Sequence, residues 1–102
     1  MATSFTFTQV GDKYESNAVQ FESDTVVRLT FSSVPDFTGV GIEFWQSLPQ
    51  TDVQSLTADD WQLCYDEALR TGLTWCKALT GVSEKAYYKI VCSVNPTTAL
   101  YE

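Results

Sequence analysis

Apolar and polar residues alternate along most of this chain with a period of two, the repeat of a strand whose faces meet core and water in turn. Phe5, Phe7 and Gln9 alternate with Ser4, Thr6 and Thr8, and Gly11-Asp12 then turns the chain into Lys13-Tyr14-Glu15-Ser16, which reads as a hairpin. Val19 and Phe21 alternate with Gln20 and Glu22 before a turn signal at Ser23-Asp24. Over residues 25–31, Val27, Leu29 and Phe31 share one face while Val26, Arg28 and Thr30 share the other. Residues 32–39 hold Pro35, Asp36 and Gly39 and read as a connection. In 40–46, Val40, Ile42 and Phe44 oppose Gly41, Glu43 and Trp45. Residues 48–58 are polar, contain Pro49, and form the longest predicted loop. A strand over 86–94 places Tyr88, Ile90, Cys92 and Val94 against Tyr87, Lys89, Val91 and Ser93, Asn95-Pro96 breaks it, and 98–101 add a terminal strand.

Residues 57–79 carry two readings. Thr57 and Asp60 have the spacing of a capping box, Trp61, Cys64, Tyr65, Ala68 and Leu69 recur at helical spacing, and Gly72 is a fair stop. The same stretch also reads as a hairpin. In that reading Trp61, Leu63 and Tyr65 alternate on one strand, Leu69-Arg70-Thr71-Gly72 turns, and Leu73, Trp75, Lys77 and Leu79 return. Strands flank the stretch on both sides, and a sheet needs partners across the middle of the chain. The whole predicts an all-β fold: an Ig-like or jelly-roll-like antiparallel β-sandwich of seven to eight strands, with room for one short helix within 57–72.

Length makes 1–102 a single β-sandwich domain. A chain of 11.4 kDa buries about 65% of its extended surface on folding, enough for a core without disulfide or metal staples. Thirteen acidic residues against six basic ones give a net charge of −7. Lys13, Arg28, Arg70, Lys77, Lys85 and Lys89 are scattered singly, which argues against nucleic acid and anionic membrane as partners. The opening Met-Ala-Thr-Ser-Phe-Thr-Phe-Thr has neither a basic nor an apolar leader region, so no signal peptide is expected and synthesis is placed in a cytoplasm.

Candidate chemistry is sparse. The chain has no histidine, which removes the commonest general base and metal ligand. Cys64, Cys76 and Cys92 form no CxxC pair and are expected to be buried free thiols in a reducing compartment. The adjacent carboxylates Asp59-Asp60 and Asp66-Glu67 would point to opposite faces of a strand, so neither pair converges by itself for glycoside hydrolysis. Asp24, Asp36 and Asp52 lie singly in loops, without the spacing of a calcium loop. No catalytic, cofactor-binding or metal-binding residue is assigned, and the expectation is a protein that is not an enzyme. The aromatics are the better candidates. Trp45 points away from the Ile42 and Phe44 face, and Tyr14 and Tyr87 are expected on the same outer surface, as an interface or as a platform for sugar rings.

The two ends of the chain carry a resemblance. Phe5-Thr-Phe-Thr-Gln-Val-Gly-Asp-Lys-Tyr-Glu-Ser16, together with Leu79-Thr-Gly-Val, Tyr88-Lys-Ile-Val and Asn95-Pro-Thr-Thr-Ala99, resembles the opening and closing strands of a group of small phage proteins. These are the β-sandwich virion accessory proteins of tailed phages infecting Bacteroidetes, crAss-like phages and relatives among them. Residues 48–60 have no counterpart in that pattern. The resemblance implies a non-catalytic virion protein made in the host bacterial cytoplasm, a capsid decoration or head appendage. Its implied partners are the major capsid protein or other virion proteins and copies of itself, a trimer being favoured. It also tips residues 57–79 toward the hairpin. The alternative function is a carbohydrate-binding or lectin-like sandwich using Trp45 and its neighbours.

Overall fold

A computed structural model of the chain describes residues 2–21, 23–49, 52–80 and 86–102. Glu22 in the alternating run and Gly81 and Val82 in the resemblance lie outside the described residues. Among the described residues there are ten strand segments: β1 (Thr3–Ser4), β2 (Phe7–Val10), β3 (Lys13–Ser16), β4 (Val19–Gln20), β5 (Thr25–Thr30), β6 (Val40–Ser47), β7 (Trp61–Leu69), β8 (Thr74–Leu79), β9 (Tyr87–Cys92) and β10 (Thr98–Tyr101). Their antiparallel pairing is nested. β1 joins β10, β3 and β4 join β9, β5 joins β8, and β6 joins β7. The chain is thus one long two-stranded ribbon, rolled so that β10 also meets β5 and β6 also meets β9.

Rolling produces two facing sheets, β1-β10-β5-β8 and β2-β3-β9-β6-β7. Nested pairing folded into two sheets is the jelly-roll arrangement, one of the two sandwich types expected. The segment count exceeds seven to eight because two strands are interrupted. Backbone Phe5 N–H donates to Ala99 in the first sheet at 2.8 Å, whereas Thr6 exchanges hydrogen bonds with Asn17 in the second. The predicted first strand therefore crosses between sheets at Phe5 and Thr6. Register slips once more between Glu15, opposite Val91, and Val19, opposite Tyr88, which separates β3 from β4.

Inward residues match the alternation. Val27, Leu29 and Phe31 from one sheet meet Val40, Ile42, Phe44, Ile90 and Cys92 from the other, all fully or almost fully buried. A chain of ring contacts runs through the core and out to the exposed Tyr65. Phe5 touches Tyr101 (4.8 Å between centroids), Tyr101 touches Phe21 (5.1 Å), and Phe21 stacks on Tyr88 (4.8 Å). Tyr88 meets Phe44 at 5.8 Å, and Phe44 meets Tyr65 at 6.1 Å. The Gly11-Asp12 turn forms as expected between paired Val10 and Lys13. Gly11 has φ 65° and Asp12 a negative φ, the II′ signature that suits the twist of a hairpin.

Residues 57–79 require two corrections. The helical reading fails, because Trp61–Leu69 is a strand paired with β6. The capping box does form, with Thr57 N–H and Oγ1 both donating to Asp60 Oδ2 (2.7 and 3.2 Å). It caps a single 3₁₀ turn, Ala58–Asp60. The hairpin reading fails as well, because β8 pairs with β5 in the opposite sheet. Residues 70–73 are an arch between sheets, a course that buries Trp75 and Leu79 in the core. A second arch, 32–39, crosses at the same end, and the two are tied together. Arg70 donates to the Phe37 carbonyl at 3.1 Å, and Phe31 N–H donates to the Leu73 carbonyl at 2.8 Å.

The open side of the sandwich, where β7 faces β8, is closed by polar contacts. Glu67 accepts from Lys77 and from Trp75 Nε1 (3.2 Å), and the Lys77 ammonium lies 4.1 Å from the centre of the Tyr65 ring. Lys77 holds the Glu67 carboxyl below its ordinary value of 4.5. A carboxyl depressed by folding stabilises above its unfolded value, and that contribution is lost as pH falls through the folded one. Glu67→Gln should therefore lower stability at about pH 7 by less than about 1 kcal/mol, since the half-exposed pair is screened by water. Urea unfolding should show the difference from wild type closing as pH falls below the ordinary glutamate value. Gly39 and Gly72 supply a second test. Both have positive φ, but a Cβ on Gly39 would meet the Leu69 carbonyl oxygen at 2.6 Å while one on Gly72 meets nothing within 4 Å. Gly72→Ala should cost about 1 kcal/mol and Gly39→Ala about 3 kcal/mol or more, read from urea midpoints.

Candidate functional site

The outward face of the second sheet gathers most of the exposed chemistry. Side chains at paired positions project to the same face, so register alone places them. Lys89 lies opposite Trp45, which lies opposite Leu63, and Val91 lies between Glu15 and Glu43. Tyr87, two residues before Lys89 in β9, shares this face. Trp61 reaches the same surface from β7, where its ring lies 4.5 Å from the Lys89 ammonium. Three half-buried aromatic rings thus surround one lysine.

A register shift makes this convergence possible. Phe44 pairs with Tyr65, but the next residue, Trp45, pairs with Leu63, leaving Cys64 as the extra residue of a bulge. Beyond the bulge the alternation of β7 is reset. Leu63 and Trp61 face outward, whereas Tyr65, Glu67 and Leu69 face the core side. A bulge also twists this exposed edge and makes it a poorer template for further strands.

Both lysines on the face are paired with glutamates, while Asp66, opposite Glu43, is not in an ion pair among the described residues. Lys89 Nζ meets Glu15 Oε1 at 2.9 Å, and Lys13 Nζ meets Glu43 Oε2 at 2.9 Å. The other Glu43 oxygen accepts from Trp45 Nε1 at 3.1 Å, which fixes the indole. Glu43 also pushes the Lys13 ammonium above its ordinary value, chiefly through the hydrogen bond Lys13 donates to it. The result is a flat surface with an aromatic centre and lysines matched by glutamates, the composition of an interface core with its polar rim.

Of the three aromatics singled out in the sequence, Trp45 and Tyr87 share this face. Tyr14 does not. It pairs with Cys92, whose side chain is fully buried, so Tyr14 projects toward the inner side of the sheet. The single-residue parity of β3 could not be set from its own four residues, because Lys13 to Ser16 contain no apolar alternation. Alternation had already set Glu43 beside Trp45 and Lys89 beside Tyr87, though neither was named as a candidate, whereas Trp61 and Glu15 were missed as members of the face. Trp61 in particular joins through the bulge, which leaves no mark in the sequence.

The thiol expectation also needs correction. Cys92 is buried, and burial, with Glu43 adding to it, pushes its thiol up to about 12. Cys64 and Cys76 are exposed, the first because it occupies the bulge, the second because it lies opposite Arg28 on the outer face of the first sheet. The carboxylates weighed as catalytic pairs are engaged separately. Asp60 caps the 3₁₀ turn, Glu67 binds Lys77 and Trp75, and Asp66 lies opposite Glu43. Among the described residues no three His, Cys, Asp or Glu side chains gather as a metal site, and no helix is long and apolar enough to cross a membrane. No protein-family model, curated protein or solved structure matches the chain.

Proposed function

We propose that this chain is a non-catalytic structural protein of a phage virion, a capsid decoration or head appendage. It docks through the outer face of the second sheet on the major capsid protein or a neighbouring virion protein. The observation that carries the reading is the face itself. Trp45, Trp61 and Tyr87 share this face with Lys89, and both of its lysines are already paired with glutamates. Such a surface loses little on leaving water, because paired charges carry less hydration than free ones, and aromatic rings dominate the energetics of docking surfaces. The resemblance of the two chain ends to phage accessory proteins supplies the kind of particle. A net charge of −7 suits the outside of a shell better than contact with packaged DNA.

Mass spectrometry of gradient-purified virions from the source culture should find this chain in constant ratio to the major capsid protein. Its presence only in the soluble fraction would remove the virion reading.

A second reading rests on one specific observation: Trp45 and Tyr87 share an outer face, as a sugar platform requires. Titrating tryptophan fluorescence with a glycan panel separates the two. Docking on protein predicts no saturable quenching. Saturable quenching that Trp45→Ala abolishes would establish carbohydrate binding instead.

A further inference from the structure

The arch over residues 32–39 ends in a feature that the core does not require. Phe37 is 98% exposed, with a backbone φ of 71°, a conformation that bulky residues rarely adopt. Thr38 N–H donates to the Asp36 carbonyl at 2.8 Å, closing a γ-turn around Phe37 of the uncommon, strained kind. The turn is held from three sides. Gly39 N–H donates to the Pro35 carbonyl at 3.0 Å, Arg70 donates to the Phe37 carbonyl at 3.1 Å, and Gly39 packs directly against the Leu69 backbone. A strained backbone therefore holds a phenyl ring out into water at one end of the sandwich.

The same molecule has a place for such a ring. On the outer face of the first sheet a hollow of about 160 Å³ is lined by Ala2, Val26, Arg28, Leu100, Tyr101 and Glu102. A cavity of about 150 Å³ with apolar walls accommodates one benzene. Arg28 on the wall can stack over an inserted ring. The hollow lies toward the far end of β5, near its start, whereas Phe37 follows the end of that strand and is fastened to the other sheet. A chain cannot fill its own hollow.

Charge fits as well. Lys13, Lys77 and Lys89 form ion pairs within the chain, whereas neither arginine does so among the described residues. Arg70 and Asp36 flank the exposed ring, and Arg28 and Glu102 flank the hollow. Each surface thus presents one acid and one base, and Asp36 can meet Arg28 as Arg70 meets Glu102.

We propose that copies of this chain associate head to tail, with Phe37 of one copy seated in the hollow formed by Val26, Arg28 and Leu100 of the next. The contact is heterologous, because ring and hollow are different surfaces, so repetition yields a closed ring or an open filament. It does not rest on the virion reading, and its test uses the purified protein alone, so either can fail without the other.

Sedimentation velocity across a concentration series tests it. The wild type should show mass rising with concentration, and Phe37→Ala and Val26→Glu should each weaken association at least about tenfold. Both sites are exposed, and circular dichroism checks that each variant is folded; Arg28→Glu is a second variant of the hollow. Mixed one to one, the two variants should form a dimer that grows no further, since Val26→Glu retains the ring and Phe37→Ala retains the hollow. A wild type that stays monomeric to about 1 mM overturns the proposal. So does association indifferent to both substitutions, or a mixture in which the two weakened variants form no dimer.

Discussion

The two sheets are held in register by a run of aromatic rings that passes from one to the other. Phe5 and Tyr101 contribute from the first sheet, Tyr88, Phe44 and Tyr65 from the second, and Phe21 fills the gap between them. Each large ring removed from water contributes roughly 2–3 kcal/mol. Contacts between rings add about 0.5–1.5 kcal/mol per pair. Among the described residues the first sheet has no hairpin, since all its pairings join strands far apart in sequence. Its strands stay in place because the rings and aliphatic side chains behind them are buried against the other sheet, so packing and pairing depend on each other.

Rolling a ribbon into two sheets makes two arches cross at one end of the sandwich, and their crossing shapes the surface there. Arch 32–39 must pass so close to the end of β7 that only glycine fits at position 39. Arg70 then fastens the arch through the Phe37 carbonyl, with its guanidinium acting as a hydrogen-bond donor and not as half of an ion pair. The exposure of Phe37 follows from this tight crossing, in which the strained turn directs the side chain away from every buried neighbour.

The two outer faces differ in kind. That of the second sheet is aromatic, and its lysines are matched: Lys13 with Glu43, and Lys89 with Glu15. That of the first sheet is built of small and neutral side chains such as Val26, Cys76, Ala78 and Leu100, with Arg28 among them. Among the described residues, a chain with a surplus of acid leaves its two arginines outside ion pairs while committing three lysines to them. Guanidinium groups are weakly hydrated and suited to contact surfaces, which is where this fold leaves them.

Local alternation was sufficient for β5, β6 and β9 and for which of their faces turn inward. Val27, Leu29, Phe31, Val40, Ile42, Phe44, Tyr88, Ile90 and Cys92 were all legible as inward residues, and all are buried. The Gly11-Asp12 hairpin was legible for the same reason, since a two-residue turn is set by its own backbone preferences. The outward direction of Trp45 followed from the parity of β6 alone.

What the tertiary structure decided involves partners distant in the chain. Residues 61–79 contain two strands, but only the free edge of β5, across the core, determines that the second leaves the first and crosses sheets. The capping box at Thr57 is genuine, yet pairing with β6 limits it to one turn. Tyr14 turns inward because Cys92 sets its register, and Cys64 is exposed because a bulge opens opposite the Phe44–Trp45 step. Strand parity is a property of neighbours along the backbone and can be read there. Pairing, bulges and coverage depend on residues brought together only when the ribbon rolls up, and no local pattern encodes them.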